Sequence, residues 1–540
     1  VNDPVAGVMA ALRSSWYQQG LYLPETLPQL MAKAARRYPR AQAVFTGDGH
    51  SSLADLETID ARARAVAGGL AGAGVGPGDR VAVQLPNWIE GLITVQAVLY
   101  LGAVAVPVVH IYGPAELGFV LRESGARVLV LPDRWRNVDY LQRVAHLGEV
   151  PSLETVVVVG DEVPSGFVPW SALESAGRVA DPAAVTDPDA VCVVLYTSGT
   201  TADPKGVCHT HNTLGAQIRT SGPRLGIGPD TVSLAAFPAG HMAGLLSHIR
   251  MALAGSSTVW MDRWDADEAA ALVQSYGVTT TSGAPTHLIS LLDSARDTKR
   301  DISSLTTYLV GAASVSPTLV ERAQAMGIAA FRSYGSTEHP VLSTGCGTDS
   351  IHQRAFTDGR LVTGNEARIV DAEGTDVGPG EDGELVCRGP QQFVGYTDPS
   401  LNEDSYLTDR WFRTGDIARL DQHGFLTITD RMKDVIIRGG ETLSSKAIED
   451  VLATMPAVAE SAVVGAPDQR LGETVCAFVV VRPGSLLDLE SVAQHFRAAG
   501  VARQKTPERL ELVENFPRTA SGKVQKFALR AQLRGGAAAT

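Results

Sequence analysis

The segment Tyr196-Thr197-Ser198-Gly199-Thr200-Thr201-Ala202-Asp203-Pro204-Lys205-Gly206 is rich in hydroxyls, punctuated by glycine and closed by a lysine. An apolar, β-branched run (Ala190 to Leu195) precedes it, and a second strand-like run (Val207 to Thr210) follows. Strand–loop–strand is a good way to present hydroxyls, free backbone N–H groups and one ammonium to a polyphosphate. The spacing is not that of the phosphate loop G-x-x-x-x-G-K-[ST], which opens a helix. Gly199 stands at the wrong distance from Lys205, no second glycine precedes the lysine, and Gly206 replaces the Ser/Thr. Without its context the loop reads equally well as a solvated turn.

The context is an alternation of strand and helix from about 190 to 345. Strand-like runs lie at Ala190–Tyr196, Thr231–Phe237, Val278–Ser282, Thr307–Val310 and Ala329–Ser333. Helix-like runs lie at Ala266–Tyr276, Thr286–Ala295 and Pro317–Met326. Such alternation predicts an α/β fold with parallel strands covered by helices, in which ligands bind beyond the carboxyl ends of the strands. The loop after Tyr196, the turn Gly311-Ala312-Ala313-Ser314 and the turn at Tyr334 all fall at such ends. An earlier α/β segment spans roughly 55 to 185. From about 346 to 430, short strands and turns such as Asp371-Ala372-Glu373-Gly374 predict a small β-barrel. A compact α+β piece follows Lys433.

Four further segments are dense in functional residue types: Tyr334-Gly335-Ser336-Thr337-Glu338, Trp411-Phe412-Arg413-Thr414-Gly415-Asp416, Asp430-Arg431-Met432-Lys433 running through Gly439-Gly440-Glu441, and Pro517-Arg518-Thr519-Ala520-Ser521-Gly522-Lys523. With the first loop, and in this order, they resemble the adenylate-forming (AMP-binding) superfamily of acyl-CoA synthetases, peptide-synthetase adenylation domains and beetle luciferases. The resemblance covers nearly the whole chain. One departure is Ala202, where the family usually has glycine. If that position needs φ > 0, alanine costs about 1 kcal/mol.

The resemblance implies a domain of residues 1–432 with two α/β subdomains and the small barrel. It also implies a mobile C-terminal lid of residues 433–540, hinged at Lys433. It implies ATP and Mg²⁺ as cofactors and CoA as co-substrate. Thr197, Ser198, Gly199, Thr200 and Thr201 would hold the phosphates, with Lys205 supporting the loop or the phosphates. Thr337 would touch the α-phosphate and Glu338 would hold Mg²⁺, a cation suited to carboxylate and phosphate oxygens. Tyr334, between Ser333 and Gly335, would stack on adenine, with Gly311, Ala312 and Ala313 letting the backbone approach the base. Asp416 would accept from the ribose hydroxyls, with Arg431 nearby. Lys523 would bridge the substrate carboxylate and the α-phosphate. Gly439 and Gly440 would pass the pantetheine arm after the lid turns. His241 matches an aromatic gate position, where it either hydrogen-bonds the carboxylate or packs.

The implied reaction activates a carboxylic acid as acyl-AMP and passes the acyl group to CoA, with a carrier protein as the alternative acceptor. The pocket is expected along Phe237–Leu245 and Ser282–Leu288, ending near Gly335; Gly283-Ala284-Pro285-Thr286 carries no acidic or basic residue, and Ala312, Ala313, Val341 and Leu342 are small or apolar. That favours a hydrophobic acid: fatty, alicyclic, aromatic or sterol-derived.

Composition sets bounds. At 540 residues the chain exceeds one hydrophobic core. Its 44% apolar and 19% charged content is that of a globular protein. A net charge of −13 argues against nonspecific nucleic-acid binding. Five scattered cysteines with no C-x-x-C pair fit a reducing cytoplasm. The run Cys208-His209-Thr210-His211 is read as strand rather than metal site. No signal peptide is expected. The uncharged stretch Gly91 to Val109 is read as a buried helix ending near Gly102 followed by a buried strand, not as a membrane span. A homodimer is compatible with the sequence, which fixes no oligomeric state.

Overall fold

The computed structural model describes residues 4–47, 51–177, 179–197, 204–311, 315–439, 441–519 and 522–536. The sequence expectations for Ser198, Gly199, Thr200, Thr201, Ala202, Ala312, Ala313 and Gly440 lie outside the described residues.

Runs of Val, Ala and Leu build the first sheet. The strands Arg80–Val83, Val104–Pro107, Val128–Pro132 and Thr155–Val159 are parallel and buried, and the first two enclose the helix Ile89–Tyr100. Burial on both faces explains why they read as continuous apolar runs rather than alternating ones. The strand Val191–Tyr196 pairs parallel with Val104–Pro107 and antiparallel with Gly206–Thr210. Among the described residues no helix is long and apolar enough to cross a membrane.

The second sheet has nine strands. Val232–Ala235, Ser257–Met261, Thr280–Gly283, Thr307–Val310 and Ala329–Tyr334 form its parallel centre. Alternation splits these strands cleanly. Leu234, Val259, Tyr308, Val310 and Ala330 pack into one core with the helices Ala266–Tyr276, Pro285–Thr298 and Pro317–Ala325. An unforeseen strand, Gln42–Thr46, joins this sheet beside Ser257–Met261.

The third unit is four antiparallel strands, Glu366–Val370, Gly383–Arg388, Phe412–Leu420 and Leu426–Arg431, around Ile369, Leu385, Cys387 and Phe412. It is tied to the second sheet by a buried pair. Arg332 donates to both oxygens of Asp358 (2.9 and 2.8 Å), and Asp358 also accepts from the Ile428 backbone N–H (2.8 Å). The smaller C-terminal domain has a five-stranded sheet, with Val458–Asp468 and Gly472–Val481 as its long hairpin, and the helices Ser445–Leu452, Leu489–Ala498 and Lys526–Gly536.

Candidate active site

Three neighbouring parallel strands of the second sheet end together. Gly283 is in register with Val310, and Val310 with Arg332, two residues before Tyr334. The Gly311 N–H donates to the Gly283 carbonyl (3.1 Å), which closes the rim between two of them. The turn after Tyr334 is tight enough that a Cβ on Gly335 would stand 2.1 Å from the Pro340 carbonyl oxygen. Only glycine fits there.

That turn is held from below. His209, fully buried, donates from Nε2 to the Thr337 carbonyl (2.8 Å), while its Nδ1 lies 3.1 Å from Thr213 Oγ1. A carbonyl can only accept, which fixes the donor. Burial pushes the imidazole down to about 4, so it stays neutral. His209 is thus a strut for the 337 backbone. The segment around Gly395–Tyr396 staples the same turn to the base of the first loop. Phe393 N–H donates to the Glu338 carbonyl (2.8 Å), Tyr396 OH donates to Glu338 Oε1 (2.9 Å), and Thr397 N–H donates to the Gly206 carbonyl (2.8 Å). Lys205 Nζ lies 4.9 Å from the Tyr396 ring centroid, in cation–π range. Thr197 and Lys205 close the loop base through Thr197 N–H to the Lys205 carbonyl (3.0 Å). Glu123 accepts from both Tyr196 OH and Thr397 Oγ1.

Asp416 is placed by a bulge. On the strand Phe412–Leu420, Arg413 faces Val386 and Ile417 faces Glu384, so three residues stand against Leu385 alone. Gly415 takes φ +69°, and Thr414 Oγ1 donates to the Leu385 carbonyl the bulge would otherwise orphan (2.8 Å). The bulge aims the buried Asp416 carboxylate at Tyr334, whose hydroxyl donates to Oδ2, and at Arg431, whose Nε lies 2.9 Å from Oδ1. Burial and the Asp416 charge hold the Tyr334 phenol well above its ordinary range.

The C-terminal domain completes the cluster. Gly522, at φ +83°, turns the chain so that the Thr519 N–H meets the Lys523 carbonyl (2.8 Å), and Arg518 Nη1 donates to the Gly522 carbonyl (2.8 Å). A Cβ on Gly522 would lie 3.9 Å from the Ala284 Cβ of the N-terminal domain. Lys523 therefore enters the crevice beside the rim. Burial first, then the Arg431 guanidinium, push its ammonium down to about 8, against the pull of the Asp416 and Glu338 carboxylates. His241 caps the helix Met242–Ala254, with Nδ1 enclosed and unpartnered. Burial, then the Lys523 charge, hold this imidazole down at about 4.

The structure thus gathers Tyr334, Glu338, Asp416, Arg431, His241 and Lys523, with Lys433 also near. Ser333 lies on the strand into the site and donates to the Ser343 carbonyl (2.9 Å). Gly439 lies elsewhere, bonded through its N–H to Leu471 within the C-terminal domain (2.7 Å). Tyr396, His209 and Glu123 were not anticipated. His209 sits in a run whose strand alternation was noticed, whereas nothing local marks the other two.

Residues 31–397 match the model of the AMP-binding enzyme family, and residues 447–523 match the AMP-binding enzyme C-terminal domain. The chain belongs to the AMP-binding enzyme family. Membership makes the protein an adenylate-forming ligase. It is 34% identical over 530 residues to a medium-chain fatty-acid–CoA ligase of Escherichia coli, covering 96% of this chain and 92% of that one. It is 34% identical over 532 residues to a salicyl-AMP ligase/salicyl-S-ArCP synthetase of Mycobacterium tuberculosis, covering 96% and 93%. Among solved structures, ATP-bound MatB from Rhodopseudomonas palustris superimposes with TM-score 0.84 at 28% identity, covering 94% of this chain and 99% of that one. The anthranilate CoA ligase AuaEII in complex with anthranoyl-AMP superimposes with TM-score 0.87, covering 96% and 98%. At 24% identity that likeness speaks to the fold alone.

Proposed function

We propose that this AMP-forming acid–thiol ligase activates a hydrophobic carboxylic acid with ATP and transfers the acyl group to CoA. The observation that carries the reading is Lys523, a cation from the C-terminal domain, set in one crevice with Asp416, Glu338 and His241 of the N-terminal domain.

The first barrier is electrostatic, because a carboxylate must attack a polyanion. A positive group poised between the two lowers it most where charge builds up. Lys523 is that group, orienting the acid against the α-phosphate. Tyr334 offers its ring to adenine while its hydroxyl holds Asp416. Asp416 takes the ribose hydroxyls, and Arg431 holds its other oxygen. Thr197 and Lys205 flank the β- and γ-phosphates, and Thr337 meets the α-phosphate from a backbone pinned by His209. His241, neutral and with Nδ1 unpartnered, borders the acid's carboxylate.

Glu338 fits Mg²⁺. Tyr396 OH occupies one carboxylate oxygen, which leaves the other for a hard cation. Among the described residues no three His, Cys, Asp or Glu side chains form a metal-holding group, so phosphate oxygens would complete the shell. The ion would supply charge neutralisation for the phosphates.

The lid turns about Lys433 for the second step, and Gly439 then meets the thiol arm. Identity to the salicyl-AMP ligase/salicyl-S-ArCP synthetase supports a second reading, in which the acceptor is a carrier protein. Pyrophosphate release screened over carboxylic acids, followed by thioester formation with CoA and with a holo carrier, tests both. No carboxylate-dependent release would overturn acid activation.

A further inference from the structure

Beneath the rim, between the second sheet and the helix Met242–Ala254, lies a cavity of about 40 Å³. That is room for two or three water-sized groups. Its walls are unexpectedly polar: Ser233, Ser247, Thr280 and Ser282 present hydroxyls, and Arg250 is the single charged residue in the lining. Ser233, Thr280 and Ser282 belong to the sheet face opposite the Leu234, Tyr308 and Val310 core, and Ser247 and Arg250 to the helix.

Arg250, half-buried, is unlike the buried Arg332 and Arg354. Arg332 is matched by Asp358, and Arg354 is matched by the Asp349 and Ala330 carbonyls. Among the described residues Arg250 has no hydrogen-bond or ion-pair partner, and its Nε is enclosed without an acceptor. Burial alone pulls the guanidinium down to about 10, with no carboxylate to offset it. Only Nε is enclosed, and the terminal nitrogens stay open to solvent. Filling the chamber with a bare hydrocarbon tail would take the guanidinium from water without supplying a counter-charge, which is costly.

The chamber lies further down the helix and strands whose upper ends border the crevice. His241, beside Lys523, caps the helix that carries Arg250 nine residues later, an axial distance of about 13 Å. On the sheet side, Thr280 lies about 10 Å below the rim residue Gly283. A helical side chain leans back toward the helix N-terminus. The gap between the acid's carboxyl end and the guanidinium is therefore spanned by a chain of roughly six to ten bonds, at about 1.3 Å per bond.

We propose that the acid activated here carries a second carboxylate at its far end, received by Arg250, so that the substrate class is a medium-length α,ω-dicarboxylic acid with an apolar middle. This rests on the acid-activation reading above and narrows it. The planar guanidinium takes a carboxylate through two parallel N–H···O bonds, and the surrounding hydroxyls satisfy the remaining lone pairs. A site built to pair a polar group rejects the analogue that lacks it more strongly than an apolar pocket rejects a change of size.

The test measures pyrophosphate release from decanoate, ω-hydroxydecanoate and decanedioate in the full-length protein, its Arg250→Met variant and its Arg250→Lys variant. The expected result is a kcat/KM for decanedioate at least tenfold above that for decanoate in the unmodified protein. That order reverses in Arg250→Met and is partly kept in Arg250→Lys. Titration of decanedioate onto the AMP-saturated proteins gives a second readout, with binding lost in Arg250→Met while melting temperature and AMP affinity stay unchanged. A preference for decanoate in the unmodified protein, or a decanedioate preference that survives Arg250→Met, overturns the proposal. Efficient release from decanoate alone leaves acid activation standing and sinks only the dicarboxylate, whereas no release from any carboxylic acid sinks both.

Discussion

Replacing Lys523 by alanine removes the cation that faces Asp416, Glu338 and His241 while leaving the nucleotide and acid pockets intact. Loss of one preorganised charge contact to a transition state costs about 3–4 kcal/mol, a rate factor on the order of 10²–10³. That factor is expected in acyl-adenylate formation, read as pyrophosphate release. Thioester formation from supplied acyl adenylate is expected to stay near the unmodified rate, because the proposed rotation turns the lid away in that step.

The pH profile sharpens the same prediction. Burial and Arg431 push the Lys523 ammonium down to about 8 in the free enzyme, and only the protonated form assists. kcat/KM for adenylation, which reports free-enzyme groups, should therefore fall above pH 8, by about tenfold at one unit beyond. ATP phosphates favour the charged form, so the limb in kcat should lie at higher pH. Lys523→Arg keeps its charge across this range and should lose the limb. Equal losses in both half-reactions, or an alkaline limb that persists in Lys523→Arg, would refute the reasoning.

Two further perturbations probe the scaffold. Asp416→Asn keeps the shape but weakens acceptance from the ribose, and hydrogen bonds to charged groups are worth about 1.5–3 kcal/mol. The KM for ATP is expected to rise by about tenfold or more with little change in melting temperature, and an unchanged AMP affinity would remove Asp416 from the ribose site. Arg332→Met leaves the buried Asp358 without its guanidinium. Breaking such a pair costs about 3–5 kcal/mol, to be read as a lower urea midpoint of the N-terminal domain.

Local periodicity made the centre of the fold legible. The helix Ala266–Tyr276 has the bounds the pattern predicts because Asp265 accepts from its first N–H groups and Gly277 ends it in the left-handed region. The strand Thr307–Val310 has the expected bounds, and its residues alternate between the core and the opposite face. By contrast, Gln42–Thr46 pairs with a strand more than two hundred residues away, and a partner at that distance leaves no trace in local spacing. The candidate site was legible where several residue types share one short turn, as at Tyr334 and Asp416. Tyr396 and Glu123 act on the site through tertiary contacts from a two-residue strand and a helix end. Arg250 escaped notice because a lone basic residue in an apolar helix reads as a surface residue until the sheet is laid over it.

The proposed lid rotation admits a direct test. Ala284 and Gly522 lie on opposite domains, and a Cβ built at 522 falls 3.9 Å from that of Ala284, within the Cβ separation a disulfide requires, about 3.5–4.5 Å. The double variant Ala284→Cys/Gly522→Cys, once oxidised, holds the C-terminal domain in the pose described here. The expected result is that the oxidised protein forms acyl adenylate but does not pass it to the thiol, and that reductant restores transfer. Transfer by the oxidised protein at the reduced rate would contradict the claim that one mobile cation serves the first step and must withdraw for the second.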